Sequence, residues 1–465
     1  MSMDFKRKPR RKTWAASISQ SPGRLSILMY GLLIFMGTFL LLLPVSTVSG
    51  RLPFIDAMFT AASAVCVTGL TVADTASTFT LFGKSVILGL IQIGGIGIMV
   101  LSTAFLFSMG RRVSMTGRQM IRDTYSYGEG KGMKSLVKDV LRFTFAIEFI
   151  GALFMFSRFY GLQPLDKAVG YAVFHSVSAF CNAGFSLFPD SFTGFGRDWV
   201  MNIDICMLII LGGIGFVVLA EIRQKFSLSR RFWSDFSLHT KLTLSGTLLL
   251  LVGSTAAILL LEWSNTLGGM ALPHKALAAF FQAVNARTAG FNTVDIGNLA
   301  NETLFITILL MFIGTAPGSC GGGIKVTTFF SMVILGISRF RGQEHPHVFY
   351  RRISAESISK AVSLVMISLT IIIVGIILLQ QVAIGDISHR LSRGAFLEVM
   401  FEVVSAFGTV GLSTGITPEF STPGKLILIL MMFIGRLGPL VVAISASKKA
   451  TPKPYSYAQE NIMIG

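Results

Sequence analysis

One short turn recurs four times along this chain, each time between an amphipathic stretch and a long apolar run. The copies are Cys66-Val67-Thr68-Gly69-Leu70-Thr71, Cys181-Asn182-Ala183-Gly184-Phe185-Ser186, Arg287-Thr288-Ala289-Gly290-Phe291-Asn292 and Gly408-Thr409-Val410-Gly411-Leu412-Ser413. Each sets a small or apolar residue before a glycine, an apolar residue after it, and then a hydroxyl or amide side chain. Copies at intervals of roughly a hundred residues are a repeat signature, and a repeat constrains architecture more than any single element does.

The frame around each copy is the same. A first apolar span runs at 26–45, 140–157, 242–262 and 361–383. An amphipathic stretch follows, beginning near Phe54, Lys167, His274 and Gly394; it is too short to cross a bilayer and suits a re-entrant helix. After the turn comes a second span at 83–109, 199–221, 302–336 and 424–446. With 52% hydrophobic and 14% charged residues among 465, the chain has too little polar surface for one soluble globule. Its apolar runs have the length of about twenty residues that a hydrocarbon core of about 30 Å demands of a helix. Non-helical backbone at membrane depth persists only where it is buried in protein or lines water, so four turns imply one shared polar axis.

The net charge of +17 is explained by the same frame. Lys and Arg gather at the N-terminus, at 111–138, 223–241 and 339–360, and at the C-terminus, which the positive-inside rule assigns to the cytoplasm. No nucleic-acid partner is needed to account for them. Every repeat then starts on the same side, so the copies are parallel and pack around an axis along the membrane normal. The expected fold is an all-α polytopic membrane protein with four parallel helix–pore-loop–helix repeats around a pseudo-four-fold central pore. Its expected divisions are a basic cytoplasmic N-terminus (1–25), repeat 1 (26–110), a cytoplasmic loop with repeat 2 (111–222), a loop with repeat 3 (223–336), a loop with repeat 4 (337–447) and a cytoplasmic C-terminus (448–465). The apolar run from Ile27 is too long for a signal-peptide core and reads as a retained span. Cys66, Cys181, Cys206 and Cys320 lack metal-ligand spacing and read as small buried hydrophobes.

The turns carry the candidate chemistry. Thr409-Val410-Gly411 resembles a potassium-channel selectivity filter, in which backbone carbonyls replace the water around an ion. The candidate ion-binding residues are therefore Val67, Thr68 and Gly69; Asn182, Ala183 and Gly184; Thr288, Ala289 and Gly290; and Thr409, Val410 and Gly411, with K⁺ held at their carbonyls. Ser63, Ser178 and Ser405 lie where a hydroxyl could brace each loop, while the third copy has Val284 there and Asn285 next. A second aligned series is Gly94-Gly95-Ile96-Gly97, Gly212-Gly213-Ile214-Gly215 and Gly435-Arg436-Leu437-Gly438, and in the first two copies it suits close helix packing. In the third repeat this series breaks into Gly314-Thr315-Ala316-Pro317-Gly318-Ser319-Cys320-Gly321-Gly322-Gly323-Ile324-Lys325, which cannot form a stable helix. A loop at 314–325 crossing below the filter is expected, and a gate is its natural role. Arg436 is an intramembrane guanidinium, a functional position by default. It is expected to hydrogen-bond the Gly318–Gly323 carbonyls, with a carboxylate partner such as Glu402 as the structural alternative. Lys325 is expected to snorkel to the interface. Asp56, Asp166 and Glu398 read as charges at helix N-termini, or as attractors of cations to the outer mouth.

These motifs are similar to those of the bacterial TrkH/KtrB family of potassium-uptake proteins, related to the plant and fungal high-affinity (HKT) transporters. The resemblance covers about residues 25–447 and is carried by Thr68-Gly69-Leu70, Asn182 to Phe185, Arg287 to Asn292, Thr409 to Leu412, the 317–325 loop and Arg436. It implies a bacterial plasma-membrane homodimer with one pore per subunit. It also implies a cytosolic nucleotide-binding regulatory ring of the TrkA/KtrA (RCK) kind as partner. The transported ion is K⁺, no covalent cofactor is implied, and an activating Na⁺ stays open. In that family a serine at the first filter glycine accompanies sodium permeation, so Gly69 favours potassium. The alternative is a Na⁺-permeable or Na⁺/H⁺-coupled secondary cation transporter of the same architecture. An alternating-access site would need side-chain oxygens at the midplane, where only Arg436 is evident. No nucleophile, base or metal cluster suggests an enzyme.

Overall fold

A computed structural model describes residues 22–97, 100, 133–225, 233–385, 387–388 and 390–438. The basic chain ends before 22 and after 438, the basic loop up to 132, the 226–232 part of the next junction and the continuation of the first repeat's second span beyond 100 lie outside these residues.

The helices fall into four sets. Repeat 1 holds α1 (Pro22–Leu42), α2 (Phe54–Cys66) and α3 (Leu81–Ile96); repeat 2 holds α4 (Met133–Phe159), α5 (Leu165–Phe180), α6 (Trp199–Ile214) and α7 (Phe216–Lys225). Repeat 3 holds α8 (Leu238–Leu261), α9 (Leu272–Asn285), α10 (Asn301–Phe312) and α11 (Val326–Phe340); repeat 4 holds α12 (Ala355–Ala383), α13 (Ala395–Gly408) and α14 (Thr422–Leu437). A two-stranded hairpin, His347–Val348 against Arg351–Arg352, decorates the junction between repeats 3 and 4.

Burial separates the roles of these helices. Stretches of α4, α8 and α12 are long and apolar enough to cross a membrane, at 23, 24 and 29 residues. They leave side chains such as Phe149, Leu248, Leu249, Ile373 and Ile377 exposed. Such a surface fits lipid and excludes water, and the protein is a membrane protein. The short helices α2, α5, α9 and α13 form the interior. Each starts behind a proline, or at an N-cap that leaves the first turn open, and ends fully buried: Ala61 to Cys66, Ser176 to Phe180, Ala283 to Asn285 and Phe401 to Gly408 are all buried.

Glycines bring the second helices onto those buried ends. A Cβ on Gly94 would sit 2.1 Å from the Val65 carbonyl oxygen. On Gly212 it would sit 1.8 Å from that of Phe180, and on Gly435 1.8 Å from that of Phe407. The aligned glycines at the series' ends, Gly97, Gly215 and Gly438, have φ of +83°, +94° and +86° and terminate α3, α6 and α14.

That termination corrects one expectation. The apolar run at 199–221 is not a straight span: α6 and α7 meet at Gly215 with a bend of 94°. Left-handed backbone stops the helix there, and a Cβ would lie 2.7 Å from the Pro317 carbonyl oxygen, so the third repeat's loop occupies the path the helix would have taken.

Alanine at Gly212 or Gly435 should destabilise the fold by about 1–3 kcal/mol, because backbone has to move to admit one methyl. Thermal unfolding of the detergent-purified protein measures this. Gly31→Ala, which meets nothing within 4 Å, should leave the midpoint unchanged or raised.

Candidate functional site

Each buried helix runs directly into one of the four turns, and the turns share an unusual backbone. The residue two before the glycine is left-handed in every copy: Val67, Asn182, Thr288 and Thr409 have φ of 57°, 60°, 73° and 51°. The glycines follow with 96°, 69°, 75° and 88° at Gly69, Gly184, Gly290 and Gly411. Successive carbonyls of an ordinary strand face opposite ways; left-handed residues at every second position turn them toward one side. Only glycine takes this backbone without steric cost, so the three side-chain-bearing kinds of residue here are held by their surroundings.

The four turns close into a ring. A Cβ on Gly69 would lie 2.5 Å from the Ala183 carbonyl oxygen, and one on Gly184 2.8 Å from that of Ala289. A Cβ on Gly290 would lie 2.6 Å from that of Val410, and one on Gly411 2.1 Å from that of Thr68. The contacts run from repeat 1 to 2, 3, 4 and back to 1. Glycine is needed at all four corners for two independent reasons, its φ and its missing methyl.

Side chains from the preceding helices brace each turn. Ser63 Oγ accepts the Gly69 N–H at 3.0 Å. Ser405 Oγ accepts the Gly411 N–H at 3.1 Å and donates to Leu412 O at 2.6 Å, and Ser178 Oγ donates to Phe185 O at 2.8 Å. The third copy, with Val284 at the serine position, uses Asn285 instead: its Oδ1 accepts the Phe291 N–H at 3.0 Å. The brace has moved one residue along the helix together with its target.

On one side of the ring opens a cavity of about 570 Å³ lined by the four glycines, Ser186, Ser413, Asp74, Asp190 and Asp295. These three aspartates were not singled out in the sequence. The available signal was their place, five or six residues past a filter glycine. Asp74 and Asp295 also cap turns, through Ala76 N and Ser77 N and through Gly297 N. Asp56 is engaged by Lys425 at 2.7 Å, and Asp166 and Glu398 sit in the first turns of α5 and α13 away from the cavity.

On the other side lies the broken third helix. Residues 313–325 form an irregular loop tied to the α6–α7 bend: Ala316 N donates to Gly213 O at 3.0 Å, Cys320 N to Gly212 O at 3.1 Å, and Phe216 N to Gly318 O at 3.1 Å. Gly314 N–H donates to Ile324 O at 2.8 Å, and Ser319 Oγ lies 2.7 Å from Thr315 Oγ1. A Cβ on Gly321 would fall 2.2 Å from Thr288 Oγ1, and one on Gly322 2.4 Å from Thr409 Oγ1. The loop therefore passes against the inner ends of two filter turns, and the glycine run is what allows the approach.

Arg436 joins this loop to the first repeat. Its Nη1 donates to Cys320 O, its Nη2 to Gly94 O, and its Nε to the Tyr30 hydroxyl at 3.3 Å. The alternative pairing with Glu402 does not form. Glu402 accepts from Ser413 Oγ at 2.6 Å, Thr417 Oγ1 at 2.7 Å and Thr414 N–H at 3.1 Å. Lys325 corrects another expectation. It does not run to the interface; its Nζ folds back to Gly321 O at 2.6 Å and Gly322 O at 3.4 Å, because the loop's own carbonyls are the nearest acceptors. A third cation, Arg287, is 5% exposed with Nη2 3.5 Å from Gly314 O. It was read in the sequence only as part of its motif, although the other copies carry Cys66, Cys181 and Gly408 at that position.

Chemically, this is a ring of convergent carbonyl oxygens with an acidic mouth on one side and a cation-studded loop on the other. The family model TrkH, described as cation transport protein, matches residues 27–456. The chain is 41% identical over 430 residues to Ktr system potassium uptake protein B of Bacillus subtilis, covering 92% of this chain and 93% of that protein. It is 35% identical over 450 residues to the potassium/sodium uptake protein NtpJ of Enterococcus hirae, covering 96% and 97%. The crystal structure of the potassium transporter TrkH from Vibrio parahaemolyticus shares the fold, with TM-score 0.70 at 19% identity over 95% of this chain and 87% of that one.

Asn285→Ala should leave the buried Phe291 N–H without a partner and cost about 1–3 kcal/mol. Thermal unfolding reads the loss, and Asn285→Asp should restore little of it, because the Asn285 Nδ2 that donates to Phe281 O at 2.8 Å would be replaced by a second oxygen facing that buried carbonyl.

Proposed function

The chain belongs to the TrkH family of cation transport proteins, and from that we propose that it takes up K⁺ through the axis of its four turns. The observation that carries the proposal is the closed ring of Gly69, Gly184, Gly290 and Gly411. A cation entering it sheds hydration worth tens of kcal/mol, and only several oxygens acting together can replace that. The carbonyls of Thr68, Ala183, Ala289 and Val410, stacked on those of Val67, Asn182, Thr288 and Thr409, supply them. Asp74, Asp190 and Asp295 raise the local cation concentration at the outer mouth.

The loop at 314–325 is the gate in this proposal. Gly314, Pro317, Gly318, Ser319, Cys320, Gly321, Gly322 and Gly323 keep it non-helical beneath the filter, and Lys325 and Arg436 hold it through its carbonyls. Opening requires the loop to leave those donors. The membrane potential pulls K⁺ inward with about 2.3 kcal/mol per charge per 100 mV. The basic junctions orient both termini to the cytoplasm at the plasma membrane. A homodimer, with a nucleotide-binding ring acting on the gate from the cytosol, is the proposed assembly. The Ktr system names of the relatives support a partner subunit. Na⁺ permeation is the second reading, favoured by the potassium/sodium name of one relative. Side-chain coupling of Na⁺ or H⁺ is disfavoured by the cations Arg287, Lys325 and Arg436 around the loop.

The test is ⁸⁶Rb⁺ uptake into proteoliposomes under an inside-negative potential. Uptake blocked by excess K⁺ and barely by Na⁺ is expected; equal block by both ions contradicts a potassium filter. Arg436→Gln should raise basal flux about tenfold, which corresponds to roughly 1.4 kcal/mol taken from the closed state. Unchanged flux would remove Arg436 from the gate.

A further inference from the structure

The position nine residues before the filter glycine is occupied by Thr60, His175, Phe281 and Glu402 in the four repeats. Two of these reach past the filter to hold the chain on its far side. His175, fully buried in α5, accepts the Leu187 N–H at Nε2 over 3.0 Å, with the Ser186 hydroxyl 3.3 Å away. Its Nδ1 lies 2.8 Å from Tyr171 O, so Nδ1 carries the proton and Nε2 is free to accept. The ring is stacked on Phe188 at 4.8 Å and 8°, and Phe192 packs edge-on at 5.0 Å, which locks its orientation.

Glu402, fully buried in α13, accepts the Thr414 N–H at 3.1 Å and the Ser413 hydroxyl at 2.6 Å. Leu187 and Thr414 both stand three residues past their filter glycine, and Ser186 and Ser413 two past. An imidazole and a carboxylate, chemically unrelated, make the same contact in the same register. The other two copies do not: Thr60 donates to Asp56 O in its own helix, and Phe281 carries no polar side-chain atom. Because the ring runs 1, 2, 3, 4, His175 and Glu402 stand at opposite corners. The third exit turn leans on the second repeat, with Phe192 N–H donating to Asn292 O at 3.0 Å and Asn292 N–H to Ser191 Oγ at 3.3 Å.

We propose that His175 and Glu402 are positioning residues which fix the exit turns of two diagonally opposed filter strands and so set the discrimination of K⁺ from Na⁺. The inference rests on the potassium-filter reading and adds specificity determinants to it. Ser178 and Ser405 hold the chain at and just past the glycine, through Phe185 O and through Gly411 N–H and Leu412 O. His175 and Glu402, one helical turn earlier, hold it two and three residues past the glycine, so the end of each strand beyond Gly184 and Gly411 is fixed at successive residues. A smaller ion is favoured when ring oxygens can close in on it, and a strand released at one end permits that. The anchors therefore act on selectivity more than on the capacity to conduct.

The experiment pairs a short and a long replacement at each site. His175→Asn keeps a polar atom near Nδ1 but falls short of Leu187, whereas His175→Gln carries an amide oxygen to the Nε2 position. Glu402→Asp falls short of Thr414, whereas Glu402→Gln retains the reach. K⁺ and Na⁺ block of ⁸⁶Rb⁺ uptake gives the discrimination ratio. The Asn and Asp variants should lose about fivefold or more of that ratio while still taking up Rb⁺, the scale expected for a lost buried hydrogen bond. The Gln variants should recover most of it. A wild-type protein that discriminates, with Asn and Asp variants that discriminate equally well, overturns the inference and leaves the filter reading standing. A wild-type protein that does not discriminate overturns both. If the short variants do not fold, amide hydrogen exchange on the wild-type protein decides. Protected Leu187 and Thr414 amides support the anchors, and exchange at the rate of an unprotected amide overturns them.

Discussion

Four backbone strands meet so closely on one axis that none of them can carry a methyl group there. A Cβ at any of the four glycines would stand within 2.8 Å of a neighbouring strand's carbonyl oxygen. The rest of the molecule is arranged to make that convergence affordable. Four short helices deliver the strands, and the buried ends of three of them receive glycines of the second helices at van der Waals limits. Those helices also point their C-termini at the base of the ring, where the partial negative charge of the helix dipole favours a cation. The long apolar helices serve mainly to hold this interior in lipid, which is why most of their surface is not buried.

The layer beneath the ring obeys a second constraint. Carbonyls freed from helical bonding at 313–325 need donors, and three cations together with the backbone of the α6–α7 bend provide them. The bend and the loop explain each other. Gly215 turns the second repeat's helix aside, and the space it vacates is filled by Pro317 and Gly318. A guanidinium bridging Gly94, Cys320 and Tyr30 then ties the loop across to the first repeat. Positive charge therefore lies on one side of the ring and carboxylates on the other.

Much of the fold was legible in the sequence because its signals are local. Apolar length marks spans, the spacing of turns marks repeats, and Pro317 with its glycines cannot be helical. The short helices begin within a few residues of the expected points, at Phe54, Leu165, Leu272 and Ala395. What escaped depends on partners distant in the chain. The run 199–221 is uniformly apolar, so nothing in it distinguishes a straight helix from one broken at Gly215. Lys325 and Asn285 have destinations set by which carbonyl or N–H happens to lie nearest. Arg287 was hidden inside a motif, and Asp74 and Asp295 inside ordinary capping patterns. His175 and Glu402 share a register that only alignment of the repeats on their glycines brings out.

In the proposed function the ring of carbonyls replaces the water shell of a potassium-sized ion. Anomalous diffraction from crystals soaked in Tl⁺, which matches K⁺ in size, addresses it directly. A Tl⁺ peak is expected on the pseudo-four-fold axis among the carbonyl oxygens of Thr68, Ala183, Ala289 and Val410, reduced by competing K⁺. An axis without anomalous density, or Tl⁺ bound only at the aspartates of the mouth, would contradict it.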